Sequence, residues 1–232
     1  MLVYAVLGLI TGSLLNWAGD ALPHLAHRFE KAPFAAARLE SALGRLIVSA
    51  WPGRRTQVSG QGLAVELIGA ALFTFIGSQH GWTWNFVVLA GLCTLFILIA
   101  VIDLRYRLVL NIVVFPVIAV ILAVSVVSPR IDEVTTLVGG AMGFGLFLLA
   151  ALVRPNGLGG GDVKLAALIG VLFGFPHALW ALLLGILAGG LASIILIAVR
   201  CWDRRTRIAY APFLCFGAIV ALFFDPLSAV LH

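Results

Sequence analysis

Asn85-Phe86-Val87-Val88-Leu89-Ala90-Gly91-Leu92-Cys93-Thr94-Leu95-Phe96-Ile97-Leu98-Ile99-Ala100-Val101-Ile102-Asp103 holds no charged side chain before its last residue. A run of about 20 apolar residues is what a helix needs to cross the hydrocarbon of a bilayer. The stretch therefore reads as a membrane helix that closes on a carboxylate. Ionisable groups at membrane depth are expensive and mark function, which makes Asp103 the first candidate for chemistry.

The same pattern recurs on both sides of this run. Apolar segments and their breakers predict spans at 2–19, 62–79, 85–103, 109–127, 133–153, 162–175, 178–199 and 209–231. The expected fold class is all-α, a polytopic membrane bundle of about eight transmembrane helices. Of the 232 residues, 62% are hydrophobic and 11% charged, against about 25% charged in a soluble domain. The spans use up the length, so residues 1–232 are expected to form one membrane domain interrupted by an insertion at 24–61. Leu2–Ala18 lacks a basic leader and a small-residue cleavage site, and is read as a retained helix. The sixth span is short, and at about 1.5 Å per residue it falls short of a bilayer unless neighbours shelter it.

Basic residues set the expected orientation. With the N-terminus outside, Arg28, Lys31, Arg38, Arg45, Arg54, Arg55, Arg105, Arg107, Arg154, Lys164, Arg200, Arg204, Arg205 and Arg207 fall at cytoplasmic connections, leaving Arg130 outside. The net charge of +5 is then a record of topology, and no nucleic-acid partner is implied. Membrane lipid is the expected surround. Within the insertion, Ala35–Ile47 carries Leu39, Leu43 and Leu46 at helical spacing with basic residues between, as an interfacial or loop-covering helix does. Cys93, Cys201 and Cys215 form no close pair and the five histidines are dispersed, so no metal is assigned.

A second carboxylate lies in Gly157-Leu158-Gly159-Gly160-Gly161-Asp162-Val163-Lys164. The third span runs inward and ends at Asp103, whereas the sixth runs outward from Asp162, so topology brings both acids to the cytoplasmic face. Two carboxyls within a few ångströms resist joint ionisation and share a proton. One then takes a proton from water attacking a peptide carbonyl, while the other hydrogen-bonds the carbonyl oxygen and helps the amine leave. Gly159, Gly160 and Gly161, lacking Cβ, would let an extended substrate approach.

Plainer readings stand beside this one. Asp162 could cap the sixth helix, and Asp103 could pair with Arg105 or Arg107 at the interface. Asn16, Glu66 and Asn111 could link helices or line a polar vestibule, and Lys164 could snorkel to the surface. A proton- or cation-coupled transporter using the aspartate pair is the alternative function, although its acids would belong near the midplane.

Gly159-Gly160-Gly161-Asp162-Val163-Lys164-Leu165 together with Ile102-Asp103 resembles the type IV prepilin leader peptidases, membrane aspartic proteases of the Gly-x-Gly-Asp type. Gly12-Ser13-Leu14-Leu15-Asn16 with Leu22-Pro23, Glu66, and Ala211-Pro212-Phe213 are similar to further landmarks of that family. The resemblance implies cleavage of a basic leader from type IV prepilin or pseudopilin precursors at the cytoplasmic face of the bacterial inner membrane, with Asp103 and Asp162 as the dyad and no cofactor for proteolysis. It also implies N-methylation of the new terminus with S-adenosylmethionine in members whose first insertion carries paired cysteines. The 24–61 insertion here has no cysteine, which removes the expectation of zinc and makes this a form in which methylation is not implied by sequence.

Overall fold

Away from water, a backbone must satisfy its own N–H and C=O groups, and the helix does this within one segment. The computed structural model describes residues 1–30, 60–128, 131–153, 158–198 and 209–224, and among them it is helical with no strand. Eight helices follow in order: α1 Leu2–Glu30, α2 Gly60–His80, α3 Trp84–Tyr106, α4 Asn111–Val127, α5 Glu133–Val153, α6 Gly160–Phe173, α7 His177–Ala198 and α8 Ala211–Phe224. Five stretches, Leu2–Pro23, α2, α3, α5 and His177–Ile195, are long and apolar enough to cross a membrane, and α4 and α8 are shorter apolar helices. Large apolar side chains such as Leu67, Val120, Leu149, Leu187 and Ile194 lie exposed, the surface of a polytopic bundle. The helix expected at Ala35–Ile47 and most of the 24–61 insertion lie outside the described residues.

The helices cluster into two compact units, Met1–Ile102 and Asp103–His232. In the first, α1 and α2 meet through glycines. A methyl placed on Gly8 would lie 2.5 Å from the Ala70 Cα, and one on Gly12 would lie 2.6 Å from the Glu66 Cα. Small residues at that spacing let membrane helices touch backbone to backbone. Asn16 adds a polar link, its Nδ2 donating to the Gly62 carbonyl at 3.0 Å. Tyr4, Trp82 and Phe86 pack their rings together, with centroids 5.2 to 5.7 Å apart.

In the second unit, α6 is the central helix. Its Val163, Leu165, Ala166, Leu168, Ile169 and Val171 are all buried, which is how a helix of 14 residues is sheltered as the sequence expects. Gly170 and Gly139 lie against each other's carbonyls, and Gly143 lies against the Ala166 carbonyl, so α5 and α6 pack at backbone distance. Gly174 ends α6 with φ of 65°, a left-handed conformation suited to glycine. The next residue, Phe175, donates its N–H to the Thr135 carbonyl at 2.9 Å, tying the end of α6 to the start of α5. Gly185 and Gly217 bring α7 and α8 together in the same way.

Candidate active site

The last turn of α3 carries Asp103, and the first turn of α6 carries Asp162. Both belong to the second unit, and both are buried, at 6% and 8% exposure. The Asp162 charge acts on the Asp103 carboxylate. The Cys215 thiol, 1% exposed on α8, lies in the field of both acids.

Each carboxylate is held by one backbone N–H. Asp162 does not begin its helix, as the 162–175 span anticipated, but stands at its third position, because α6 starts at Gly160 with Gly159 as N-cap. Its Oδ2 reaches back to accept the Gly159 N–H at 3.0 Å, while its own N–H donates to the Gly159 carbonyl at 3.1 Å. This is the carboxylate half of a capping box, in the turn where the helix favours negative charge. Asp103 accepts the N–H of Ala211, the first residue of α8. Its Oδ2 is buried and has no hydrogen-bond partner among the described residues. A buried polar oxygen without a partner is uncommon and calls for an explanation.

The third span is longer than 85–103: α3 continues to Tyr106 and stops at Arg107, whose φ is 53°. The Arg107 N–H donates to the Asp103 carbonyl at 2.8 Å, and its charge also acts on the Asp103 carboxylate. Asp103 therefore lies inside the last turn rather than at its end.

The glycines before Asp162 differ in their surroundings. A Cβ on Gly160 would meet nothing within 4 Å, whereas one on Gly161 would lie 2.9 Å from Val109. Gly159 faces only the Asp162 carboxylate, 3.5 Å from such a Cβ, and its own neighbour Gly161. Lys164 donates to Asn111 Oδ1 at 2.7 Å, with its ammonium 5.7 Å from the centre of the Phe115 ring. It thus joins α6 to the start of α4. Asn16 and Glu66 belong to the first unit.

Because the Lys164–Asn111 bond is exposed, it is expected to contribute about 0.5–1.5 kcal/mol. In a double-mutant cycle of thermal unfolding in detergent, Lys164→Met and Asn111→Ala should each lower stability by that much. The double variant should fall little further than either.

Sequence reasoning gave no role to Ala211 or Cys215, although their spacing of four on α8 was available as a sign that they share a face. The left-handed backbone of Arg107 carried no signal, since glycine is the usual residue there. Among the described residues, no three His, Cys, Asp or Glu side chains group as metal ligands would.

The sequence profile of the type IV leader peptidase family matches residues 90–194, a stretch that contains both aspartates. The chain is 28% identical over 158 residues to the prepilin leader peptidase/N-methyltransferase of Bacillus subtilis (strain 168), covering 68% of this chain and 64% of that protein. It is 26% identical over 163 residues to the protein of the same name from Pseudomonas aeruginosa, covering 68% of this chain and 56% of that one. A third, from Xanthomonas campestris pv. campestris, is 26% identical over 164 residues, covering 68% and 57%. The matched region thus spans less than two thirds of each relative. No solved structure matches at a significant level.

Proposed function

We propose that the chain is a membrane-embedded aspartic endopeptidase of the type IV leader peptidase family, whose profile matches residues 90–194. Its substrates are type IV prepilin or pseudopilin precursors, from which it removes the basic leader. The observation that carries the reading is the open, buried Oδ2 of Asp103 within the field of Asp162.

In the proposed reaction, one carboxylate takes a proton from water as its oxygen bonds to the scissile carbonyl carbon. The other, protonated, gives its proton to the carbonyl oxygen. Collapse of the tetrahedral adduct breaks the C–N bond, and the amine leaves with the proton first taken from water. The Ala211 and Gly159 N–H groups hold the two acids in place during these transfers. The open flank at Gly160 is the proposed edge along which the extended segment lies, with Gly159 beside it, while Gly161 seats the helix against Val109. Lys164 and Asn111 support the start of α6. Asn16 and Glu66 are proposed as polar groups of the cytoplasmic end of α1 and α2.

We further propose that the protein sits in the bacterial inner membrane, surrounded by lipid, as one peptidase domain over 1–232 with the 24–61 insertion and the dyad toward the cytoplasm. Carboxylates at helix ends, rather than midway along a span, speak against the transporter reading.

The relatives' name also carries N-methyltransferase, an activity that takes its methyl group from S-adenosylmethionine. The 24–61 insertion of this chain has no cysteine, and the proposal made here is for proteolysis. The test is to incubate the purified chain with a pilin-type precursor and S-adenosylmethionine and weigh the product. The expected product is the leaderless chain with an unmodified N-terminus. An uncut precursor would overturn the peptidase, and a product heavier by one methyl would overturn the restriction to proteolysis.

A further inference from the structure

The connection Arg107 to Leu110 joins α3 to α4. It leaves α3 directly below Asp103, because the Arg107 N–H donates to the Asp103 carbonyl at 2.8 Å. Leu110 stands in extended backbone at the entry to α4, and its carbonyl accepts the N–H groups of Val113 and Val114, each at 3.1 Å. Leu108 is exposed, as loop residues usually are, whereas Val109 and Leu110 are buried. The second half of the connection is therefore packed into the protein.

Val109 packs on the turn that carries the second acid. A Cβ on Gly161 would lie 2.9 Å from both Cβ and Cγ2 of Val109, and 3.5 Å from its backbone N. Gly161 immediately precedes Asp162, whose carboxylate closes that same turn on the Gly159 N–H. The Val109 Cβ is fixed to the backbone, so no change of rotamer withdraws it. Slightly further along both segments, Asn111 Oδ1 accepts the Lys164 ammonium at 2.7 Å. A connection rooted beneath Asp103 thus meets the first turn of α6 at two successive points. All of these residues lie in one compact unit. Four residues reach at most about 14 Å when extended, so the tether between the two acid-bearing turns is short. Gly139, Gly143 and Gly170 hold α6 against α5, but α5 carries neither acid.

We propose that Val109 is a positioning residue of the dyad: its side chain is the spacer between the end of α3 and the start of α6, and it sets where Asp162 stands relative to Asp103. The inference rests on the reading of the two acids as a catalytic pair. It also separates Gly161 from the glycines along which a substrate lies, since a valine of this chain occupies its flank.

The test moves one methyl across the contact. Gly161 is helical and its φ is not positive, and alanine favours the helix, so Gly161→Ala is expected to fold and insert. Its methyl stands roughly 0.6 Å inside the ~3.5 Å at which carbon atoms rest. A misplacement of about 1 Å at a catalytic group costs about a hundredfold in rate, so this smaller one should lower kcat by about tenfold, with KM within about twofold. Val109→Gly removes the spacer and should lower kcat by about fivefold. The double variant carries the methyl on the other side of the contact and should regain kcat to within about threefold of wild type, as coupled neighbours do. Cleavage of a synthetic peptide with a basic leader and an apolar pilin-type segment gives kcat and KM, normalised to folded, inserted protein. A raised KM with unchanged kcat in Gly161→Ala overturns the proposal, because a substrate lying on Gly161 is then what the methyl displaces. Wild-type kcat in either single variant overturns it too, as does a double variant no faster than Gly161→Ala. Retained cleavage in Asp103→Asn, run alongside, would instead remove the dyad on which the inference stands.

Discussion

Asp103→Asn and Asp162→Asn are each expected to reduce leader cleavage by on the order of a thousandfold while leaving the protein inserted in the membrane. The amide oxygen of an asparagine at 162 can still accept the Gly159 N–H, so the start of α6 is kept. An asparagine at 103 can likewise accept the Ala211 N–H. What each substitution removes is the capacity to take up and release a proton. Since neither acid works without the other, the double variant should be no slower than either single one, the pattern of groups that act as a unit. Asp162→Ala behaves differently: it loses the cap as well, at a cost of about 1 kcal/mol. Its lower melting temperature would distinguish folding from chemistry. Cleavage is measured by gel shift of a coexpressed precursor, with membrane-inserted enzyme quantified in the same cells. Retention of more than a tenth of wild-type activity in either asparagine variant would remove that residue from the dyad.

The acids were legible because a carboxylate is conspicuous in an apolar chain, and because counting spans brings Asp103 and Asp162 to one side. Helix starts were legible for the same reason, as apolar runs fix them to within a turn, whereas α1 runs on to Glu30, past its expected end at residue 19. The short α6 was also readable, since 14 residues cannot cross a bilayer unaided and the helix is in fact the buried centre of its unit. The contacts that hold the acids were not. The partners of Asp103 and Asp162 are backbone N–H groups of Ala211 and Gly159, and any residue but proline offers one. Periodicity carries no trace of which N–H is left open by a helix start. Gly161 shows the same limit: its sequence neighbours suggest room for a substrate, whereas the side chain that fills its flank, Val109, comes from a distant part of the chain. Arg107 is a case where the usual sign was replaced. The left-handed turn that ends α3 holds an arginine, where glycine is the usual residue.

Gly170→Val is expected to be among the most damaging substitutions far from the acids. Every glycine in α5 and α6 looks alike in sequence, but their surroundings separate them. A Cβ at Gly170 would collide with the Gly139 carbonyl, 2.7 Å from its carbon and 2.9 Å from the Gly140 Cα. Those atoms are backbone and cannot rotate away, so α5 and α6 must part. Overpacking of this kind costs about 1–3 kcal/mol and more where neither side yields. The helices also lose the close approach on which membrane packing depends. Since Gly170 lies about two turns beyond Asp162 on the same rigid helix, separation at one end displaces the acid at the other. A misplacement of about 1 Å at a catalytic group lowers rate by about a hundredfold. Gly170→Val should therefore lose stability by about 3 kcal/mol in detergent unfolding and lose cleavage by about a hundredfold in the protein that remains folded. Gly145→Ala on α5 is the control, because a Cβ there meets nothing within 4 Å. It should be neutral or slightly stabilising, as alanine favours the helix by about 1 kcal/mol. Equal damage from both would mean that glycine serves helix flexibility here and not the contact of α5 with α6. Damage at Gly170 alone would tie the position of Asp162 to the packing of a helix too short to hold itself in a membrane.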